Sequence, residues 1–238
     1  MRPAGNEAEF SPSLAVGAWL VAFVVGGLGA AIIVGAAGYS NRDSDQWPLW
    51  LSALTFFPLW VGLLGALLVV SQRWGTGSFR SDFRLKVRPS DALVGIPIGV
   101  VCQLVFVQLL YDALSGVFDD NEVQKVAKSL TDRAEGWGVV LLVLTVAIGA
   151  PIVEELFFRG LVLRAFSSRL GDGLAIAASA LLFALAHFQP VQFPGLLLFG
   201  VVAGYVAHRS GRLGPAIFTH MGFNGTAVVV LLLDRYGS

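Results

Sequence analysis

Apolar residues in this chain fall into long blocks separated by short polar connections, roughly at 14–39, 49–71, 91–111, 137–158, 173–189, 193–207 and 214–233. Apolar runs of about 17–25 residues cross a bilayer as helices, because a helix satisfies its own backbone hydrogen bonds where there is no water. The pattern predicts an all-α, multi-pass transmembrane helical bundle of about seven membrane helices, one of them short or broken. The fifth and sixth blocks are the short ones. Between them, FQPVQFPG carries Pro190 and Pro194, which predicts a broken or re-entrant element rather than a plain external loop. The first block exceeds the about 7–15 residues of a secretory apolar core and follows a polar start, so it is expected to stay as a span.

Composition supports this reading. Hydrophobic residues make up 55% of the 238 and charged residues only 13%, too apolar a balance for a soluble domain. Formal net charge is zero, so charge gives no reason to expect a nucleic-acid partner. Cys102 is the single cysteine, which excludes an internal disulfide. Assigning loops alternately to two sides puts Arg2, the run from Arg73 to Arg88, and Arg159, Arg164, Arg169, Arg209 and Arg212 together. The acidic segment around Asp119, Asp120 and Glu122 falls on the other side. Cytoplasmic loops hold the excess of Lys and Arg, so the amino terminus is expected to be cytoplasmic. The connection NEVQKVAKSLTDRAE is expected to form a short surface helix, and QRWGTGSFRSDFRLKVRPSD a solvated loop. GIPIG and GVVAG carry small residues four apart, which predicts close helix packing.

Ionisable side chains at bilayer depth are costly unless paired or facing a wet cavity, and a few stand out here. PIVEELFFRG holds Glu154, Glu155 and Arg159; FALAH ends in His187; HMGFN holds His220 and Asn224. Glu155 and Arg159 are one helical turn apart and can pair, whereas Glu154 is rotated by about 100° from that stripe. The two carboxylates are therefore expected to differ in role, with Glu154 left free to serve as a general base. His220 and Asn224 share a face and can both donate towards one oxygen. Phe183 and His187 repeat that spacing, which predicts the phenyl ring as a wedge between helices. Each of these groups needs a buried partner, and the natural partners are one another. Glu154, His187 and His220 also offer the donors of a divalent metal site such as zinc, although HExxH is absent; metal-assisted and metal-free chemistry both stay open. No GxSxG occurs, and Cys102 has no histidine in its own span, so a serine or cysteine nucleophile is not expected.

EELFFR, FALAH and HMGFN fit EExxxR, FxxxH and HxxxN in that order. The chain thereby resembles the CAAX protease and bacteriocin-processing (CPBP) family of intramembrane proteases, which includes the type II CAAX prenyl endopeptidases. The likeness covers roughly residues 138–233 and divides the chain into N-terminal membrane helices over 1–136 and a catalytic membrane domain over 137–238. It implies an endopeptidase of the membrane, expected in a bacterial plasma membrane, acting on a peptide or protein segment at the bilayer, with no requirement that the substrate be prenylated. Carried over by position, Glu154 activates water with His187 as partner, His220 and Asn224 stabilise the oxyanion, and Glu155, Arg159 and Phe183 support them. Two rival readings are a non-catalytic scaffold or immunity-type protein of the same family and a proton-coupled transporter using the carboxylates as a relay. For Glu154 and His187 to meet, helix four must run on through RGLVLRAFSSRLG, with helix five short and followed by the re-entrant proline segment.

Overall fold

The computed structural model describes residues 10–117 and 128–237. Arg2 and the acidic residues Asp119, Asp120 and Glu122 lie outside these residues; of the expected surface helix, residues 128–132 are helical. Each of the apolar blocks is a helix. Five are long and apolar enough to cross a membrane: α1 (Pro12–Ala36), α2 (Leu49–Trp74), α3 (Ser90–Ala113), α4 (Trp137–Leu170) and α7 (Gly214–Gly237). The fifth and sixth blocks form α5 (Asp172–Leu185) and α6 (Phe193–Ser210). At about 1.5 Å per residue α5 reaches only about 21 Å, well short of a hydrocarbon core of about 30 Å, so it cannot cross. The protein is an integral membrane bundle in which, among the described residues, five helices are long enough to span and two form a shorter pair.

Large apolar side chains cover much of the surface. Leu28, Ile32, Leu93, Leu109 and Leu233 are more than 60% exposed, as expected where lipid rather than water surrounds the bundle. Because lipid gives apolar side chains no reason to leave the surface, helices associate through close backbone approach instead. Gly26 and Gly62 seat α1 against α2, where an added Cβ would meet Leu59 and the Ala22 carbonyl at 2.9 and 2.8 Å. GIPIG works the same way: a Cβ on Gly95 or Gly99 of α3 would overlap the backbone around Thr219 of α7. In GVVAG, Gly200 rests on Ala180 and Gly204 on Ile176. With His208 Nδ1 placed 3.6 Å from Asp172 Oδ1, these contacts define α5 and α6 as an antiparallel hairpin whose two outer ends meet.

α4 is the hub. Its apolar window is 44% buried, against 17–22% for α1 to α3. At 34 residues it is about 51 Å long, so it outreaches the hydrocarbon core by about 20 Å. Helix four thus continues through Leu170, as the meeting of Glu154 and His187 requires. Gly160 accommodates the backbone of Phe83, whose Cβ would stand 3.0 Å from a Cβ added there.

The bundle has chemically distinct ends. At one, the connection between α2 and α3 is fastened by two inward carboxylates, Asp82 and Asp91, each 1% exposed. Asp91 pairs with Arg212, and the backbone N–H of Leu213 and Gly214 donates to Arg84 O and Lys86 O. Asp82 accepts from Ser71 Oγ at 2.6 Å and from Thr76 N and Oγ1 at 2.9 and 2.7 Å. Burial alone would push the Asp82 pKa up, but these bonds outweigh it and hold the carboxyl below the ordinary aspartate range. A carboxyl depressed on folding stabilises the fold fully above its unfolded pKa, and that stabilisation is lost as pH falls through the lower folded value. Thermal melts of the protein in detergent should therefore fall off below about pH 4. Asp82→Asn is expected to cost about 1–3 kcal/mol at neutral pH and to flatten that acid limb, since an amide nitrogen then faces donors.

Candidate active site

Two widened, π-helical turns interrupt α4, over Val143–Gly149 and Leu156–Val162, and the diacid sits between them. Such turns change which residues share a face and recur at functional sites. Pro151 explains the first: lacking an N–H, it cannot close a bond to a carbonyl of the preceding turn. In the wide register Val146 O would look to residue 151 for its donor. That need is met from another helix, by Asn224 Nδ2 of α7 at 2.9 Å.

The second wide turn is buried from Leu156 to Val162 and includes Arg159. Glu155 is fully buried, and its Oε1 accepts from Arg159 Nη1 at 2.9 Å. The same oxygen lies 2.9 Å from His220 Nδ1. Arg159 Nη2 donates to Gly200 O of α6 at 3.1 Å, and the guanidinium lies 4.6 Å from the centre of the Phe183 ring of α5. One ion pair therefore ties α4 to α5, α6 and α7. The pairing expected from the four-residue spacing is present, and Glu155 additionally anchors an imidazole.

Glu154 faces elsewhere. Its Oε2 lies 3.9 Å from His187 Nε2 and 3.8 Å from His220 Nε2, and its side chain retains 20% exposure. Those gaps are too long for direct hydrogen bonds and suit one water held at about 2.8 Å from each group. The far side of each ring is fixed. His187 Nδ1 sits 2.7 Å from Phe183 O; a carbonyl only accepts, so Nδ1 carries the hydrogen and, in the neutral ring, Nε2 presents a lone pair towards Glu154. Nδ1 of His220 faces the Glu155 carboxylate, which likewise directs Nε2 towards Glu154.

Phe183 fills the expected wedge position, fully buried, with its ring 5.2 Å from Phe158, 4.6 Å from His187 and 5.7 Å from His220. Phe199 of α6 completes the box, 4.6 Å from His220 and 4.3 Å from Phe223. Neither Phe199 nor the Gly200 carbonyl carries a motif that would single it out. Tyr111 went unmarked as well: its hydroxyl donates to Val191 O at 2.8 Å, holding the hairpin tip against α3. A buried tyrosine late in an apolar run was the available signal.

The sequence-chosen side chains Glu154, Glu155, Arg159, Phe183, His187 and His220 thus form one connected cluster, contributed by α4, by α5 with the turn that follows it, and by α7. Asn224 joins from α7 through the α4 backbone. Glu154 is about 25 Å from either end of α4, and His220 is about 9 Å inside the start of α7. The cluster therefore lies in the half of the bilayer nearer the Asp82 and Asp91 end. The donor types match those of hydrolytic zinc sites, but among the described residues no three His, Cys, Asp or Glu side chains are spaced to hold a metal.

Comparison with known proteins points the same way. Residues 136–226 match the family model described as type II CAAX prenyl endopeptidase Rce1-like. A 24.3 kDa Escherichia coli protein, described as uncharacterized, is 36% identical over 88 residues. That alignment covers 35% of this chain and 41% of the relative, so less than half of either protein is compared. No solved structure matches the chain.

Proposed function

From the match of residues 136–226 to the type II CAAX prenyl endopeptidase Rce1-like family model, we propose that the chain is an intramembrane endopeptidase working by glutamate-activated water. The observation that carries this reading is the pair of imidazole Nε2 atoms 3.9 and 3.8 Å from one carboxylate oxygen, Glu154 Oε2. A water between Glu154 and His187 gives one hydrogen to the carboxylate and one to Nε2, leaving a lone pair free to attack. Attack on a peptide carbonyl transfers a water proton to Glu154 as the C–O bond forms. The second N–H of Asn224, and the Nε2–H of His220 when that ring carries a hydrogen on both nitrogens, donate to the oxyanion. Glu154 then returns its proton to the leaving amine as the C–N bond breaks. Glu155 and Arg159 take no proton; they hold His220 and close α5 and α6 around the site.

The substrate is a peptide segment entering the half-bilayer beside the basic end, which the positive-inside rule assigns to the cytoplasm. The test is a fluorogenic peptide library with purified protein in detergent, assayed with and without chelator. Cleavage that survives chelation is expected. Chelator-sensitive cleavage restored by zinc would replace the metal-free version, and no cleavage together with pH-gradient-driven flux would replace the enzyme reading with transport.

A further inference from the structure

We propose that the basic end of the bundle is a binding surface for anionic phospholipid headgroups. The connection from Trp74 to Ser90 joins two spanning helices, so it lies at headgroup level. It sorts its charges by sign. Arg73, Arg80, Arg84, Lys86 and Arg88 are exposed, while the carboxylates of Asp82 and Asp91 are each 1% exposed and face inward. Those inward bonds, with fully buried Phe83 between them, fix the loop so that its cations are presented on a firm support. Arg169 and Arg209, exposed near the ends of α4 and α6, extend the surface.

The opposite end is built differently. Among its described residues, Asp43, Asp45, Asp112, Asp132, Glu135 and Asp234 outnumber Arg42, Lys128, Arg133 and Arg235. Two of those four cations are engaged by backbone carbonyls, Arg133 by Ser44 and Ser129, and Arg235 by Thr131 and Ala134. Exposed charge on the connection is thus positive, whereas at the opposite end it is mixed and partly engaged. Trp74 and Val87, 50% and 47% exposed, stand among the exposed side chains of the connection. Apolar and aromatic side chains mixed with cations at one level suit the membrane interface, where ring and stem dip into lipid and the charge stays with the phosphates. An acidic peptide in water would meet no use for the exposed Trp74 and Val87, which is why the lipid is favoured.

Each cation near an anionic surface contributes about fivefold in binding. The parent protein in detergent should bind phosphatidylglycerol over phosphatidylcholine by native mass spectrometry, with the preference weakening as salt rises. The variant R80Q/K86Q/R88Q changes exposed side chains only and should lose that preference by on the order of a hundredfold. Equal retention of both lipids by the parent, or an undiminished preference in the variant, would overturn the proposal. So would a polyglutamate peptide, or inorganic phosphate, binding these residues more tightly than the lipid. The readout uses no catalysis, so it stands or falls separately from the proteolytic reading.

Discussion

Glu154→Gln is expected to lower peptide cleavage by about 10²–10⁴-fold while leaving the melting temperature in detergent close to that of the parent. The amide keeps the shape of the side chain but cannot take a proton from water. Its neighbourhood tolerates the change, because the partners of Glu154 stand 3.8 and 3.9 Å away and the structural ion pair belongs to Glu155. His187→Ala should lose activity comparably, since a water held by Glu154 alone is left unaligned. Cleavage at the parental rate in either variant would remove these groups from the reaction.

The largest effect on stability is expected at Arg159. Replacing it with methionine keeps much of the volume under Phe183 but leaves Glu155 as a buried carboxylate without its cation. Breaking a buried pair from one side costs about 3–5 kcal/mol. Adding Glu155→Gln should recover part of that loss, because the stranded charge is then gone. A double-mutant cycle followed by unfolding in detergent should give a coupling of about 0.5–3 kcal/mol. Strict additivity would mean that the 2.9 Å contact between Arg159 and Glu155 has no energetic role.

The positions of these two acids show how far spacing alone carries. Four-residue periodicity was enough to pair Glu155 with Arg159 and to separate Glu154 from them, since it depends only on helix geometry. Block length likewise located the spanning helices. It also counted the fifth and sixth blocks, marked as short, among about seven membrane helices; they form the hairpin of α5 and α6, because hydropathy records what a segment avoids and not how far it reaches. The extent of α4 is legible not in hydropathy but in the requirement that Glu154 meet His187, which carries the helix through RGLVLRAFSSRLG. Arg159 and Arg164 break its apolar run, yet Arg159 is only 2% exposed, its charge answered by Glu155 rather than by water. The wide turns left no periodic trace apart from Pro151, and the bond from Asn224 to Val146 O follows from that proline only once the register of α4 is known. His220 was expected to stabilise the oxyanion with Asn224; its second nitrogen also rests on Glu155, a contact between residues 65 positions apart that no local pattern encodes.

The antiparallel register of α5 and α6 settles a matter of parity. Because Asp172 and His208 meet, that pair of helices leaves and rejoins the bundle on one face, and lengthening or shortening it by whole turns would change nothing about how often the chain traverses the bilayer. Among the described residues the helices long enough to span are α1, α2, α3, α4 and α7, an odd number, which would deliver Pro12 and Tyr236 to different compartments.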